Sequence, residues 1–145
     1  MSDIVWSINT KNDEFENVFY RMREHAVQLL EAKNYVVHFH FDERLGHIRF
    51  DMQNRRDFYL IYKEALNNIA KYAEGKNVWI DLALNNNKIE LVIKDDGKGF
   101  DVSKANRKGN GLSNMHKRAE SIGAKLDITS AINEGSALRL DFQRK

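Results

Sequence analysis

Four short stretches in the second half of the chain carry Val, Ile, Leu or Phe at every second position, and this alternation restricts the possible folds more than any other feature. They lie at 78–84, 89–93, 125–129 and 137–142, and each has one face that is consistently apolar. A fifth alternating stretch, 35–42, precedes them. Strands with a single apolar face are typical of antiparallel sheets covered on one side. The pattern therefore predicts a mixed, mostly antiparallel sheet with one covered face.

Amphipathic helices are expected to supply the cover. One is predicted over 15–33, with Asn12 or Asp13 as its cap and Asn34 as its stop. A second pattern runs through 58–73 and is expected to end at Gly75 as a C-terminal glycine. At about 100° per residue its apolar side chains share one broad arc: Phe58, Ile61, Tyr62, Ala65, Leu66, Ile69 and Ala73. Helices on one face of such a sheet give an α+β fold, a two-layer α/β sandwich.

The same helix carries an unusual polar strip beside its apolar arc. Helical geometry places Glu64, Asn68 and Lys71 together on this flank, with Tyr72 next to them. One interpretation is a polar boundary, in which Glu64 and Asn68 interact across one turn and Lys71 snorkels to water. The other is a binding site, in which Asn68 offers an oxygen to Mg²⁺ and Lys71 meets phosphate.

Composition limits the classes of function. The chain has 145 residues, enough for a single domain over 1–145, and a net charge of +2 gives no general reason to expect nucleic acid. The absence of cysteine excludes disulfides and thiolate chemistry. No apolar run approaches the roughly 20 residues of a membrane span, and no signal-peptide pattern is present. A cytoplasmic location without membrane contact by this domain is expected.

An acidic, glycine-rich turn follows the second of the four strands. Counting by twos from Ile93 places Asp95 on the core face, where a carboxylate costs several kcal/mol without a strong partner. Gly97 and Gly99 follow and allow a backbone to approach a ligand closely. A plain acidic turn is one explanation. The other is that Asp95 accepts a hydrogen bond from the exocyclic amine of a purine.

A second glycine cluster lies at the start of the next predicted helix. Gly109 and Gly111 precede Leu112, and backbone amides at a helix start attract anions. The polar segment 101–108 before them carries Lys104, Arg107 and Lys108, and is interpreted as a lid over a polyphosphate.

The three motifs in this order are E-x-x-x-N-x-x-K-Y-A, D-x-G-x-G and G-x-G-L, and together they resemble the N, G1 and G2 boxes of the GHKL ATPase superfamily. The resemblance covers nearly the whole chain. It implies the Bergerat ATP-binding fold, and the chain looks like the catalytic and ATP-binding domain of a bacterial two-component sensor histidine kinase.

The resemblance also implies roles for individual residues. Asn68 matches the Mg²⁺ ligand, Glu64 and Lys71 match catalytic positions, and Asp95 matches the carboxylate that binds adenine. The remaining nucleotide-binding positions are Tyr72, Gly97, Gly99, Lys108, Gly109, Gly111, Leu112 and Ser136. Gly135-Ser136 resembles the late G-[ST] pair of the family, which helps to hold the adenine-binding carboxylate, here Asp95. ATP and Mg²⁺ are thus the expected cofactors. One departure is Asp96, which stands where asparagine is usual.

A phosphoacceptor is expected outside this chain. None of its histidines lies in the acidic helical context of an acceptor: His25, His38, His40, His47 and His116. Residues 1–12 are accordingly interpreted as a linker from an absent dimerisation and phosphoacceptor domain. The implied partners are that domain and a response regulator. Two alternatives stay open: an anti-sigma-factor-type serine kinase, and a non-catalytic interaction module of the nucleotide-binding type whose nucleotide pocket is degenerate.

Overall fold

The computed structural model describes residues 15–42, 44–45, 52–98, 111–131 and 133–143. Its helices are α1 (Phe15–Glu31), α2 (Met52–Asn68) and α3 (Gly111–Ser121), and a π-helical segment (Ile69–Ala73) continues α2. The strands are β1 (Val36–Phe41), β2 (Asn77–Asn85), β3 (Lys88–Asp95), β4 (Ala124–Ser130) and β5 (Ser136–Gln143). All five predicted strands are therefore present.

The strands form one sheet in the order β1-β2-β3-β5-β4. β1 and β2 are parallel, and the other neighbours are antiparallel. Along the central strands the predicted apolar face is buried, whereas Trp79, Asp81 and Lys94 on the opposite face are exposed. The mixed, mostly antiparallel sheet with one covered face is confirmed.

α2 is the central helix of the covering layer. Its predicted apolar arc is buried from Phe58 to Ile69, and it packs with the inner faces of β2 and β3 in one core. α1 lies over β1, where the ring of Phe19 contacts those of Phe39 and Phe41. α3 packs beside α2 through Met115 and Ala119, which are both buried. The α+β two-layer sandwich is confirmed by this arrangement.

The end of the central helix differs from the prediction. The last five residues form a π-helix, and the left-handed residue that stops it is Glu74, with φ 54°. Gly75 does not have a positive φ, so its interpretation as a C-terminal cap is wrong. A Cβ at Gly75 would lie 2.6 Å from Asp96 Oδ1 and 2.7 Å from the Gly97 amide nitrogen. Glycine is required here because the helix end and the turn after β3 touch.

Asparagine occupies the left-handed region at three turns: Asn34, the predicted stop after α1, Asn86 between β2 and β3, and Asn133 between β4 and β5. Several expectations lie outside the described residues: the helix cap at Asn12 or Asp13, the linker 1–12, and the lid with Lys108 and Gly109. Residues 48–50, for which the sequence indicates a brief extended segment, also lie outside them. Gly99 also lies outside them.

Candidate functional site

A buried carboxylate at the end of β3 is the centre of the site. Asp95 is only 6% exposed and lies on the inner face of the sheet, as the alternation predicts. Its Oδ1 accepts a hydrogen bond of 2.8 Å from the Gly97 amide, and its Oδ2 accepts one from the Ser136 hydroxyl. Each carboxylate oxygen has a further lone pair available. The cost of burying the charge is thus offset within the protein, with capacity left for another donor.

Ser136 reaches Asp95 because the two residues are register partners across β3 and β5. The turn before Ser136 contains Gly135, with φ 75°. A Cβ at this position would overlap the backbone carbonyl oxygen of Asp95. The predicted proximity of the Gly135-Ser136 pair to Asp95 is therefore present, and it depends on the absence of a side chain at residue 135.

Asp96, the departure from the usual asparagine, fastens this turn to the start of β2. Its Oδ1 accepts hydrogen bonds of 2.8 Å from the Lys76 and Asn77 amides, and its Oδ2 accepts one of 2.9 Å from the Asn77 side chain. Burial acts to raise the pKa of Asp96, but the hydrogen bonds from Asn77 and Lys76 outweigh it and lower the pKa. The carboxylate is therefore ionised at neutral pH and acts as a triple acceptor.

The central helix contributes the second half of the site. Glu64 and Asn68 lie one turn apart and are half-buried, as predicted. Lys71 is exposed, so its placement in the half-buried strip is wrong. It belongs to the π-helical segment, in which each residue turns through a smaller angle than in an α-helix, and this moves Lys71 off the line of Asn68. The backbone of Tyr72 lies in the same segment.

A groove between α2 and α3 contains Glu64. Its volume is about 220 Å³, and it is lined by Leu60, Lys63, Glu64, Asn67, Asn114, Met115 and Arg118. Helical spacing places Lys63 and Asn67 on the side of α2 opposite its apolar arc, but both are half-buried and line this groove. Gly111 and Leu112 occupy the first turn of α3, as predicted, so the helix start that is expected to bind anions lies at the end of α3 nearer Asn114.

A buried polar cluster that sequence reasoning missed connects the two helices. Asp57 is 5% exposed and accepts hydrogen bonds from Gln53 (2.8 Å) and Ser121 (2.9 Å). The Arg118 guanidinium lies 3.4 Å from its other oxygen. Helical spacing could have indicated the position of Asp57. It precedes Leu60, Ile61 and Glu64 by three, four and seven residues, which places it on the same flank of α2, the flank that meets α3.

Tyr35 is a second residue that was missed. Its buried hydroxyl contacts Ile69, the first residue of the π-helical segment, and Gly75, just beyond the end of that segment. The sequence contains no signal for this position, because both contacts are separated from Tyr35 by more than 30 residues.

Within the described part of the chain, no group of three or more His, Cys, Asp or Glu side chains could hold a metal ion by itself. No helix in the same residues has the length and hydrophobicity needed to cross a bilayer.

Comparison with known proteins assigns the family. Residues 53–145 match the family of histidine kinase-, DNA gyrase B-, and HSP90-like ATPases. The chain is 36% identical over 112 residues to the oxygen sensor histidine kinase NreB of Staphylococcus carnosus, and the matched region covers 75% of this chain and 32% of NreB. It is 32% identical over 102 residues to the sensor histidine kinase YdfH of Bacillus subtilis, and the matched region covers 68% of this chain and 25% of YdfH. The chain thus spans about a quarter to a third of these relatives.

Solved structures give the same fold. The histidine kinase domain of the blue-light activated kinase from Erythrobacter litoralis EL346 superposes with a TM-score of 0.73 at 16% identity, covering 87% of this chain and 60% of that one. The catalytic domain of histidine kinase ThkA superposes with a TM-score of 0.71 at 14% identity, covering 90% and 92%. The chain belongs to the histidine kinase-, DNA gyrase B-, and HSP90-like ATPase family, as its three motifs predict.

Proposed function

We propose that the chain binds Mg-ATP and transfers its γ-phosphoryl group to a histidine on a separate domain of a two-component sensor kinase. The observation that carries this proposal is the Asp95 carboxylate, which is buried, held by Ser136 and Gly97, and adjacent to the end of the helix that carries Glu64 and Asn68. A buried charge with unused acceptor capacity in such a place fits a ligand that brings its own donor.

The exocyclic amine of adenine is that donor. Asp95 would accept its hydrogen bond, while Gly97 and Gly99 leave room for the flat ring beside the turn. The side chain of Tyr72 would line the base. A solved neighbour supports the general arrangement: full-length ShkA, described in complex with AMPPNP, superposes with a TM-score of 0.71 at 15% identity, covering 90% of this chain and 30% of ShkA.

The phosphates would extend from Asp95 along α2 toward the start of α3. Mg²⁺ commonly takes one or two protein oxygens and completes its coordination with phosphate and water. The Asn68 amide fits this role, because it supplies a single hard oxygen on the half-buried flank of α2. Lys71 and Lys108 would offset phosphate charge, and backbone amides near Gly109 and Gly111 would bind phosphate oxygens. The metal would neutralise charge on the β- and γ-phosphates.

In the transfer step, an imidazole nitrogen of the acceptor attacks the γ-phosphorus as the bond to the bridging oxygen of ADP breaks. The groove that contains Glu64 offers a place for the incoming imidazole. Glu64 would accept a hydrogen bond from the N–H of the other ring nitrogen, which orients the ring, and would take that proton as the N–P bond forms at the nitrogen that attacks. Positioning and charge neutralisation supply the rest of the catalysis. The phosphorylated domain would then pass the group to a response regulator in the cytoplasm.

Calorimetry with ADP, in the presence and absence of Mg²⁺, tests the binding half of the proposal. We expect Asp95→Asn to abolish measurable ADP binding under both conditions. Asn68→Asp should change only the part of the affinity that depends on Mg²⁺. Asp81→Asn, an exposed carboxylate on the outer sheet face, is the matched control and should bind as the wild type does. Undiminished binding by the Asp95→Asn variant would contradict the proposal, and absence of binding by the wild type would favour a non-catalytic module.

The chemistry of the product tests the transfer half. The chain is mixed with labelled ATP and the acceptor domain of its own full-length protein, and the labelled product is treated with acid. A phosphorus–nitrogen bond to histidine hydrolyses in acid, whereas a phosphate ester on serine survives. Acid-stable label would replace the histidine kinase assignment with the serine kinase alternative.

A further inference from the structure

Tyr35 lies at the junction between the end of the central helix and the start of β2. It is 5% exposed and immediately precedes β1. Its hydroxyl oxygen accepts a hydrogen bond of 2.9 Å from the Gly75 amide, and the hydroxyl lies 3.5 Å from the Ile69 carbonyl oxygen, to which it donates. One side chain thus contacts the first residue of the π-helical segment and the second residue beyond its end.

The backbone between these two contacts has an uncommon conformation. A π-helix is rare and usually short, and Glu74 follows it in the left-handed region, with φ 54°. Such a conformation persists where surrounding contacts hold it. The Tyr35 hydroxyl provides contacts at both ends. Burial raises the pKa of Tyr35, and the charges of Asp95, Asp96 and Glu74 act in the same direction against the Gly75 hydrogen bond. The hydroxyl therefore stays protonated and able to donate.

Gly75 connects this junction to the buried carboxylate. Its α-carbon packs so closely on the next turn that an added Cβ would lie 2.7 Å from the Gly97 nitrogen and 2.6 Å from Asp96 Oδ1. The Gly97 nitrogen donates to Asp95. A shift of Gly75 toward the turn would therefore displace either the amide that holds Asp95 or the carboxylate that fastens the turn to β2.

We propose that Tyr35 is a positioning residue for base recognition: through Gly75 and Gly97, its hydroxyl sets the orientation in which Asp95 accepts the exocyclic amine of adenine. This inference rests on the proposed function. It assigns to the residue before β1, far from the three motifs in the sequence, a share in the preference of the site for adenine.

A purely structural role has a different consequence. If the Tyr35 hydroxyl only stabilises the fold, its removal lowers the free energy of unfolding and leaves base preference unchanged. Tyr62 provides the matched control. It is fully buried in α2, and its hydroxyl donates to the Met22 carbonyl oxygen at 2.6 Å, away from the Asp95 turn. Tyr62→Phe removes the same chemical group from the same core.

The test compares two ligands that differ only in the amine: ADP and purine riboside 5′-diphosphate, which has hydrogen in its place. Calorimetry of the 145-residue chain should show a wild-type preference for ADP. In Tyr35→Phe we expect ADP affinity to fall by about threefold to tenfold, the range for one hydrogen bond. Affinity for the analogue should change by less than about twofold. Tyr62→Phe should keep the wild-type ratio of the two affinities.

A second variant changes the same junction at Gly75, whose amide donates to the Tyr35 hydroxyl. Gly75→Ala should also lower ADP affinity more than affinity for the analogue, because its Cβ displaces Gly97 or Asp96. Wild-type ratios in both Tyr35→Phe and Gly75→Ala would overturn the inference while leaving the proposed function intact. A wild type that binds neither ligand, or binds both equally, would instead overturn the proposed function.

Discussion

The two ends of the candidate nucleotide site are built differently. At the adenine end, Asp95 and Asp96 lie in a turn between strands, and their oxygens accept hydrogen bonds from neighbouring backbone and side-chain groups. At the phosphate end, Glu64 and Asn68 are half-buried helix side chains, Glu64 lines a groove, and Lys71 is exposed. The first end is fixed by backbone contacts, whereas the second presents side chains to solvent.

This difference indicates how specificity and catalysis are divided. A carboxylate whose burial is already offset by Ser136 and Gly97 needs little reorganisation to accept a base, so it can discriminate among bases. Under the proposed function, the groups at the phosphate end would gain their partners only when Mg-ATP binds, and an exposed Lys71 would add long-range attraction that salt screens. We expect changes at the adenine end to alter base preference and stability together. Changes at the phosphate end should alter the affinity for the charged phosphate groups of the nucleotide.

The largest expected effect is at Gly135, in the adenine end. Gly135→Ala forces a side chain into the left-handed region and against the Asp95 carbonyl oxygen, and we expect it to cost about 3 kcal/mol of unfolding free energy. Gly123→Ala is the matched control: φ is 68°, but nothing lies within 4 Å of the new Cβ. It should cost about 1 kcal/mol. If urea denaturation showed equal losses of unfolding free energy in the two variants, the close packing of residue 135 on Asp95 would not contribute to stability.

A smaller effect is expected at Asp57, which connects the two helices of the phosphate end. Asp57→Ala leaves Arg118, Ser121 and Gln53 without a buried acceptor, and should cost about 2 kcal/mol of unfolding free energy. Because α3 starts at the expected phosphate site, Mg-ADP should bind more weakly, with an unchanged ratio of ADP to purine riboside diphosphate. Asp81→Ala, at an exposed carboxylate, should change stability by less than about 0.5 kcal/mol. A changed ratio in Asp57→Ala would remove the distinction between the two ends.

Lys71 should affect ligand affinity without affecting the fold. Lys71→Ala is expected to leave the free energy of unfolding within about 0.5 kcal/mol of the wild type, since the side chain is exposed. Its Mg-ADP affinity should fall by a few fold at low ionic strength and approach the wild-type value at about 1 M salt, where charges are screened beyond roughly 3 Å. Lys125→Ala, an exposed lysine of β4, is the control. A loss that persists undiminished in high salt would indicate a direct, desolvated contact.

The smallest effect is expected at Asp96 and depends on pH. Its hydrogen bonds hold the pKa below the usual 3.8, so the ionised form stabilises the folded state. That contribution is fully present above pH 3.8 and is lost as the pH falls through the lowered folded-state value. Asp96→Asn should therefore be less stable than the wild type at neutral pH, and the difference should shrink below about pH 4. A difference that is constant from neutral to acidic pH would exclude the ionised carboxylate as its cause.

Alternation in the sequence was sufficient to predict the sheet and one part of the site. Counting by twos placed Asp95 on the buried face, and the resemblance of Gly135-Ser136 to a late family motif brought Ser136 to it. The placements of Asp95 and Ser136 succeed because side chains alternate between the two faces along each strand, and strand pairing in the sheet keeps this alternation.

What could not be predicted depends on contacts distant in sequence. Helical arithmetic assumes an α-helix to the end of the pattern, so it misplaced Lys71, which lies in a π-helical segment next to the Tyr35 hydroxyl. Gly75 was interpreted from its position after a helix, whereas its packing on Gly97 requires knowledge of the tertiary fold. The Asp57 cluster was missed for the same reason, because two of its three partners, Arg118 and Ser121, lie more than 60 residues away on α3.

A two-step titration followed by amide chemical shifts tests the division of the site most directly. Adenosine, which lacks phosphate, is added first and Mg-ADP second. We expect adenosine alone to shift the amides of Gly75, Gly97 and Ser136, and Mg-ADP to extend the shifts to Asn68 and Asn114. Adenosine shifts confined to the groove between α2 and α3, with no change at Gly97 and Ser136, would contradict the account.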